Sequence, residues 1–458
     1  MTDSTAVQAR SPVLRRSFLR DFPSAVRGQG VFVWDSEGKK YLDFAGSAAV
    51  NFIGHGVAEI SAAMAQQAAQ LEFVHTSQFT TPVAEEYAEE LLEFAGENFR
   101  GGAVYFTCGG SESIETALKL ARQYQVEIGE PRRHRMLGRN QSYHGATLGA
   151  LAVSGNRRRR EIYLPMVREF EHVSMPYCYR CAYDCTDGCW NCGQEYAAEL
   201  ERTIDASQGE AAAFFFEPVS GATLGAVVPP EGYLAKVAEI CRAHGVLLVA
   251  DEVMTGMGRT GSNFAVDHWE LAPDILVAAK GLSSGYAPLG AVIASKRVVD
   301  AIAGGSGAFL HGFTYNAHPI SLAAGRSVLR FLKQRNLVQA ANSGAEGTTA
   351  TRVKLAMETL RDLSAVGDVR GIGLLWGVEF VADKGSKRPY PSQLNFSGLV
   401  GRAALRRGLL VYPMQGCVDG ISGDHLLLAP PAVIQADEIE WAVEQLRAAV
   451  EEASASIK

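Results

Sequence analysis

Two wholly apolar runs in this sequence each stop at a charge: Val246-Leu247-Leu248-Val249-Ala250 at Asp251, and Ile275-Leu276-Val277-Ala278-Ala279 at Lys280. Apolar runs without alternation read as strands covered on both faces, and such strands belong to parallel sheets lying between helices. Three further runs fit the series: Ala103 to Thr107, Ala212 to Glu217 and Gly290 to Ser295. Between them the period changes. Ile114, Ala117, Leu118 and Ala121 recur at i, i+3, i+4 and i+7 behind Gly109-Gly110-Ser111, and Tyr233 to Ala243 is a second helical stretch closed by His244-Gly245. Strands alternating with helices predict an α/β architecture with a mostly parallel sheet and helices on both faces.

A chain of 458 residues exceeds one small core, so two domains are expected. Past about residue 325 come longer helical patterns, Ser327 to Arg335 and Ala345 to Leu363, and then Gly371-Ile372-Gly373-Leu374-Leu375-Trp376-Gly377-Val378-Glu379. These predict a smaller α+β domain at 326–458, joined by an N-terminal segment at 1–60. The large domain then covers 61–325 and carries a cysteine-rich insert at about 176–193.

The net charge of -7 and pI near 5.9 offer no field for a phosphate backbone, so nucleic acid is not an expected partner. Arg157, Arg158, Arg159 and Arg160 form the one basic run, read as a solvated face rather than an anion site. No apolar stretch approaches the roughly 18 residues of a membrane span, and the first residues lack the apolar core of a signal peptide. The expected location is cytoplasmic, without a membrane partner.

The charged strand ends suggest chemistry. A pyridoxal phosphate site needs a lysine for an imine, an acid against the pyridine nitrogen, a phosphate cradle and an aromatic face. Asp251 projects from the carboxyl edge of a strand, where open α/β sheets bind ligands. Lys280 ends a buried strand, and burial lowers an amine's pKa in the sense that imine chemistry uses. Gly109-Gly110-Ser111 forms a strand-to-helix turn whose amides can face an anion, and Tyr143-His144-Gly145 supplies a ring. Each has a plainer alternative: a helix cap, a snorkelling lysine, an ordinary turn, a packed tyrosine.

The order of these features resembles that of class III aminotransferases. The likeness rests on Cys108-Gly109-Gly110-Ser111-Glu112, Tyr143-His144-Gly145, Glu217-Pro218-Val219, the block Asp251-Glu252-Val253-Met254-Thr255-Gly256-Met257-Gly258-Arg259-Thr260-Gly261, Lys280-Gly281, and His311-Gly312-Phe313-Thr314-Tyr315-Asn316-Ala317-His318-Pro319. The resemblance implies a fold type I pyridoxal-phosphate transferase with a mostly parallel seven-stranded sheet between helices. It implies Lys280 as the Schiff-base lysine and proton shuttle, Asp251 at the pyridine nitrogen, and Gly110 and Ser111 at the phosphate. Tyr143 and Val253 would cover the two ring faces, His144 and Glu217 would lie beside the cofactor, and Thr314 would reach the phosphate of a neighbouring subunit in a homodimer with shared sites. The implied reaction carries an amino group from an amine or amino acid to a keto acid such as pyruvate. An amino-acid epimerase or a decarboxylating relative is the alternative, because the same acid and lysine serve all three.

The chain departs from the family pattern in places. Many members bind the substrate carboxylate with an arginine in the loop that here runs Pro413 to Asp424, and this loop has none. The glutamate that some relatives pair with it is also missing from Ser220-Gly221-Ala222-Thr223. Gly46-Ser47-Ala48-Ala49 places small residues where a bulky one often faces substrate, which predicts a roomier pocket. Cys178, Cys181, Cys185, Cys189 and Cys192 include two C-x-x-C pairs, open to zinc, to redox chemistry or to a plain reduced state. An insert opening Pro-Tyr-Cys-Tyr-Arg-Cys resembles one in a subgroup that includes ω-transaminase-like proteins and epimerases.

Overall fold

A computed structural model describes residues 11–18, 21–183 and 189–457. Seven strands form the main sheet, in the order Ala103–Thr107, Gly290–Ala294, Ile275–Ala278, Leu247–Asp251, Ala211–Phe216, Arg135–Arg139 and Glu171–Val173. The last five pair in parallel, and Gly290–Ala294 runs antiparallel to both its neighbours. All five strands expected from the apolar runs are present. Arg135–Arg139 and Glu171–Val173 were not expected, because the first has an arginine at each end and the second has three residues.

Alternate side chains of one strand enter different cores, which explains the unbroken apolar runs. Phe214, Phe216, Leu248, Ala250, Leu276 and Ala278 belong to one cluster with Tyr196, Val237 and Leu322. Phe215, Leu247, Val249, Ile275 and Val277 join the other with Ile114, Ala117 and Ala121 of the helix Gly110–Glu127. The chain therefore folds as the α/β layers that the alternation implied.

A second sheet, wholly antiparallel, is ordered Val366–Ile372, Leu375–Phe380, Asp424–Leu428 and Tyr412–Gln415. The helices Phe396–Arg406 and Ala436–Ala455 accompany it. Near the N-terminus, Ala25–Gln29, Phe32–Asp35 and Lys40–Asp43 form a small sheet that Leu409–Leu410 extends in parallel. The helical pattern beginning at Ala345 starts later as a helix, at Thr349, because Thr348 caps it with a hydroxyl that accepts the Thr351 N–H at 3.1 Å.

A buried carboxylate ties the cysteine-bearing segment to the second sheet. Glu379 accepts from Arg180 Nε at 2.6 Å and Arg370 Nη1 at 3.0 Å, and from the Tyr177 hydroxyl. Burial pushes the Glu379 carboxyl up, but Arg370 and Arg180 outweigh it and hold it below the usual range. Stability drawn from this carboxylate is present above the unfolded value and fades as pH falls through the lower folded value. Replacing Glu379 by Gln leaves the Arg180 guanidinium without its carboxylate and Arg370 with Asp368 alone, at 3.0 Å. The expected cost is about 3–5 kcal/mol, read as a drop of several degrees in the thermal midpoint. A variant that melts with the parent would show that the network contributes little.

Candidate active site

The parallel strands put their carboxyl ends on one edge of the sheet, and a cavity of about 470 Å³ opens there. Gly110, Ser111, Tyr143, His144, Glu217, Asp251, Val253 and Lys280 all line it. Asp251 ends its strand with Oδ1 accepting the Val253 N–H at 3.0 Å and Oδ2 lying 2.7 Å from His144 Nδ1. The two side chains are 5% and 0% exposed. His144 Nε2, also buried, has no hydrogen-bond partner among the described residues. An acid this deep, oriented by a histidine, suits a cationic group on a ligand.

Lys280 follows Ile275–Ala278 and opens a short 3₁₀ turn with φ of 45°, a left-handed conformation that a lysine rarely adopts. Burial lowers its amine from 10.5 to about 8. Asp251 and Glu217 pull it back up, while Arg159 and Arg259 press it further down. Glu217 is buried too, and burial raises its carboxyl, with His144 opposing and Asp251 adding. It accepts the N–H groups of Gly221 at 3.0 Å and Tyr143 at 3.4 Å, so it fixes the tyrosine segment in the cavity wall.

The first turn of Gly110–Glu127 faces the same space. A Cβ at Gly110 would come within 3.1 Å of the Val253 side chain, and one at Gly145 within 2.6 Å of Ser111 Oγ. Ser111 Oγ accepts the Ala146 N–H at 3.0 Å, which leaves its own hydrogen to donate. Amides at a helix start, a hydroxyl and closely approaching glycines fit a phosphate. With Asp251, the amine of Lys280 and the Tyr143 ring, the donor set fits pyridoxal phosphate.

Known proteins agree with this geometry. The sequence profile of the family Aminotransferase class-III matches residues 20–450. This chain belongs to the class III aminotransferases. It is 38% identical to an uncharacterized aminotransferase, YodT, of Bacillus subtilis over 92% of this chain and 93% of that protein. An adenosylmethionine-8-amino-7-oxononanoate aminotransferase of Geobacter sulfurreducens is 33% identical, over 93% and 91%. Among solved structures, an (S)-enantioselective ω-transaminase from Thermomicrobium roseum superposes with a TM-score of 0.86 at 36% identity, covering 94% and 93%.

Thr314 is the one expected site residue of this aminotransferase that lies outside the cavity. It sits exposed on a turn. That turn rests on the start of the Gly110–Glu127 helix: Cys108 Sγ lies 3.6 Å from the Tyr315 carbonyl, and His311 Nε2 lies 2.9 Å from the Thr116 hydroxyl. None of Gly46 to Ala49 lines the cavity; Val50 does, and Ala49 packs in one cluster with Val219 and Ala222, which also line it.

The reading of the arginine run as a solvated face needs correction. Arg157 and Arg158 are exposed, but Arg159 and Arg160 are half-buried. The Arg159 guanidinium lies 4.1 Å from the centre of the Tyr143 ring, and Arg160 Nη1 donates to the Ser154 carbonyl at 3.0 Å. Asn156 turns the run inward by capping the Arg159 N–H at 3.2 Å. Four like residues in a row hide this.

Cys192 is 1% exposed in the main core, and Cys181 Sγ accepts from Tyr196 at 3.7 Å. Cys185 and the side chain of Cys189 lie outside the described residues. Among the described residues no group of three His, Cys, Asp or Glu side chains could hold a metal.

The lowered Lys280 value is open to measurement. In the cofactor-free protein, reductive methylation at Lys280, followed by peptide mass spectrometry against pH, is expected to rise with a midpoint near about 8. Exposed lysines should rise near 10.4. A Lys280 midpoint above 10 would remove burial as the dominant influence on this amine.

Proposed function

We propose that this chain is a pyridoxal-phosphate-dependent, ω-transaminase-like enzyme that moves an amino group from an amine or amino acid to a keto acid such as pyruvate. The observation that carries this reading is the convergence of Lys280, the Asp251–His144 pair and a glycine-bearing helix start on one cavity. Pyridoxal phosphate, when bound, supplies an aldehyde that condenses with amines and a ring that takes up electrons from the substrate Cα.

The chain's own residues do the rest. The amides of Gly110 and Ser111 and the Ser111 hydroxyl bind the phosphate, while Tyr143 and Val253 cover the ring. Asp251, oriented by His144 Nδ1, holds negative charge where the pyridine nitrogen needs its proton. Lys280, with its amine lowered to about 8 by burial, would be the base that takes the proton from the substrate Cα and gives it back on the cofactor side of the reacting nitrogen. Glu217 keeps the Tyr143 backbone in register.

The exposed turn at Thr314 suits a contact with a second copy, and Leu310 and Tyr315 beside it are 79% and 57% exposed. We therefore read the enzyme as a homodimer in which Thr314 serves the neighbouring site. Cys108, Cys241 and Cys417 form no disulfide, which suits a cytoplasmic location, and no helix among the described residues is long and apolar enough to cross a membrane.

The purified protein is expected to show a visible cofactor band that amino donors discharge and pyruvate restores. Lys280→Ala should slow the transfer about 10²–10⁴-fold. Asp251→Asn should slow it about 10²–10³-fold. Exchange of the substrate Cα proton with solvent, without loss of the band, would instead favour an epimerase.

A further inference from the structure

Beside the site lies a second cavity, of about 1060 Å³, bounded by the arginine run, the strand Tyr412–Gln415 and the helix Phe396–Arg406. Arg16, Arg158, Arg159 and Arg402 line it, and among the described residues no carboxylate does. Behind its wall, Asp424 Oδ1 accepts the Ser397 N–H at 2.9 Å while Oδ2 has no partner among the described residues, and burial lifts the carboxyl against the pull of Ser397, Gln415 and Arg158. Within the basic run only Arg157 meets a carboxylate among the described residues, Glu161 at 3.4 Å. Like charges gathered round one space concentrate anions there.

The two cavities meet at Tyr143, whose ring lines the first and carries the Arg159 guanidinium at 4.1 Å. Among the described residues the one acceptor of Arg159 Nη2 is the Met414 sulfur, at 3.9 Å, and a thioether is a weak acceptor. Arg158, by contrast, donates to Gln415 Oε1 at 2.8 Å. Arg139 and Arg259 are fully buried and line neither cavity: Arg259 donates to backbone carbonyls, and Arg139 donates to the Glu217 carbonyl through Nη2 while its Nε and Nη1 are enclosed. Arg159 is thus the cavity-lining guanidinium against Tyr143 with donors left for a ligand, and Lys280 feels its charge. Both amino acids and keto acids present a carboxylate next to the reacting carbon, which a planar guanidinium grips through two hydrogen bonds.

We propose that Arg159 binds the carboxylate of the amino-acid donor and of the keto-acid acceptor, with the four-arginine cavity receiving that anionic end. This assignment rests on the aminotransferase reading above. It explains how a chain with no arginine between Pro413 and Asp424 recognises an acid: the cation comes from the turn after Asn156 instead.

The test uses the cofactor-loaded enzyme with two acceptors of equal length, pyruvate and propanal, of which only the first has a carboxylate. In Arg159→Met, which keeps an apolar chain against Tyr143, the ratio of kcat/KM for pyruvate over propanal is expected to fall about 10–100-fold, mainly through KM. Arg159→Lys restores the charge without the fork and should recover part of the ratio. The visible band of each variant reports that the fold and the cofactor site persist. An unchanged ratio in Arg159→Met overturns the assignment while leaving amino transfer intact. A wild-type enzyme that passes amino groups to neither acceptor overturns the functional reading and this assignment with it.

Discussion

The buried guanidinium of Arg259 holds the parts of this molecule in the relation that the site requires. It is 2% exposed, and it donates to the carbonyls of Ala429 at 3.0 Å, Pro430 at 2.7 Å and Asn51 at 3.0 Å. One side chain thus joins the segment that follows Asp251, the loop after the N-terminal sheet and the end of the second sheet. Its ring neighbour Phe52 lies 4.8 Å away, and Asp43 supplies the opposing charge. Asp43 in turn accepts from the Ser47 N–H at 2.9 Å and its hydroxyl at 2.7 Å, which holds a left-handed turn through Ser47, Ala48 and Ala49. Burying a cation is tolerable here because its donors meet oriented carbonyl dipoles. Arg259 also acts electrostatically on the chemistry, since its charge helps keep the Lys280 amine low.

The sheet was legible where burial on both faces leaves an unbroken apolar signature, as in Leu247–Asp251 and Ile275–Ala278. It was not legible in Arg135–Arg139, because Arg139 is fully buried and its guanidinium donates to the Glu217 carbonyl across the sheet. A charge inside a core has no local mark. Among site residues, Asp251 and Lys280 could be found because each ends an apolar run. The pairing of Asp251 with His144 spans 107 positions and emerges only when strand ends converge. Arg159 was misread for a related reason: its exposure is set by Tyr143 and Met414, which are distant in sequence or on another sheet.

The two adjacent acids at the end of the Leu247–Asp251 strand show how one motif serves two needs. Successive side chains on a strand face opposite ways, so Asp251 and Glu252 part company. Asp251 enters the cavity beside His144. Glu252 turns into the core, where it accepts the Val266 N–H at 2.8 Å and the Thr255 hydroxyl, and burial pushes its carboxyl up to about 7 against those bonds. A carboxyl with its value near neutral carries only part of its charge there. Glu252 therefore ties the Asp251–Gly261 block to the 3₁₀ turn Ala265–Trp269, and Asp251 is left as the strand-end acid that faces the cavity. Changing Glu252 would act on how that block is held, and through Arg259 on domain placement. On the proposed reading, changing Asp251 would act on the cofactor ring itself. The same strand end thus separates scaffold from chemistry by a rotation of one residue.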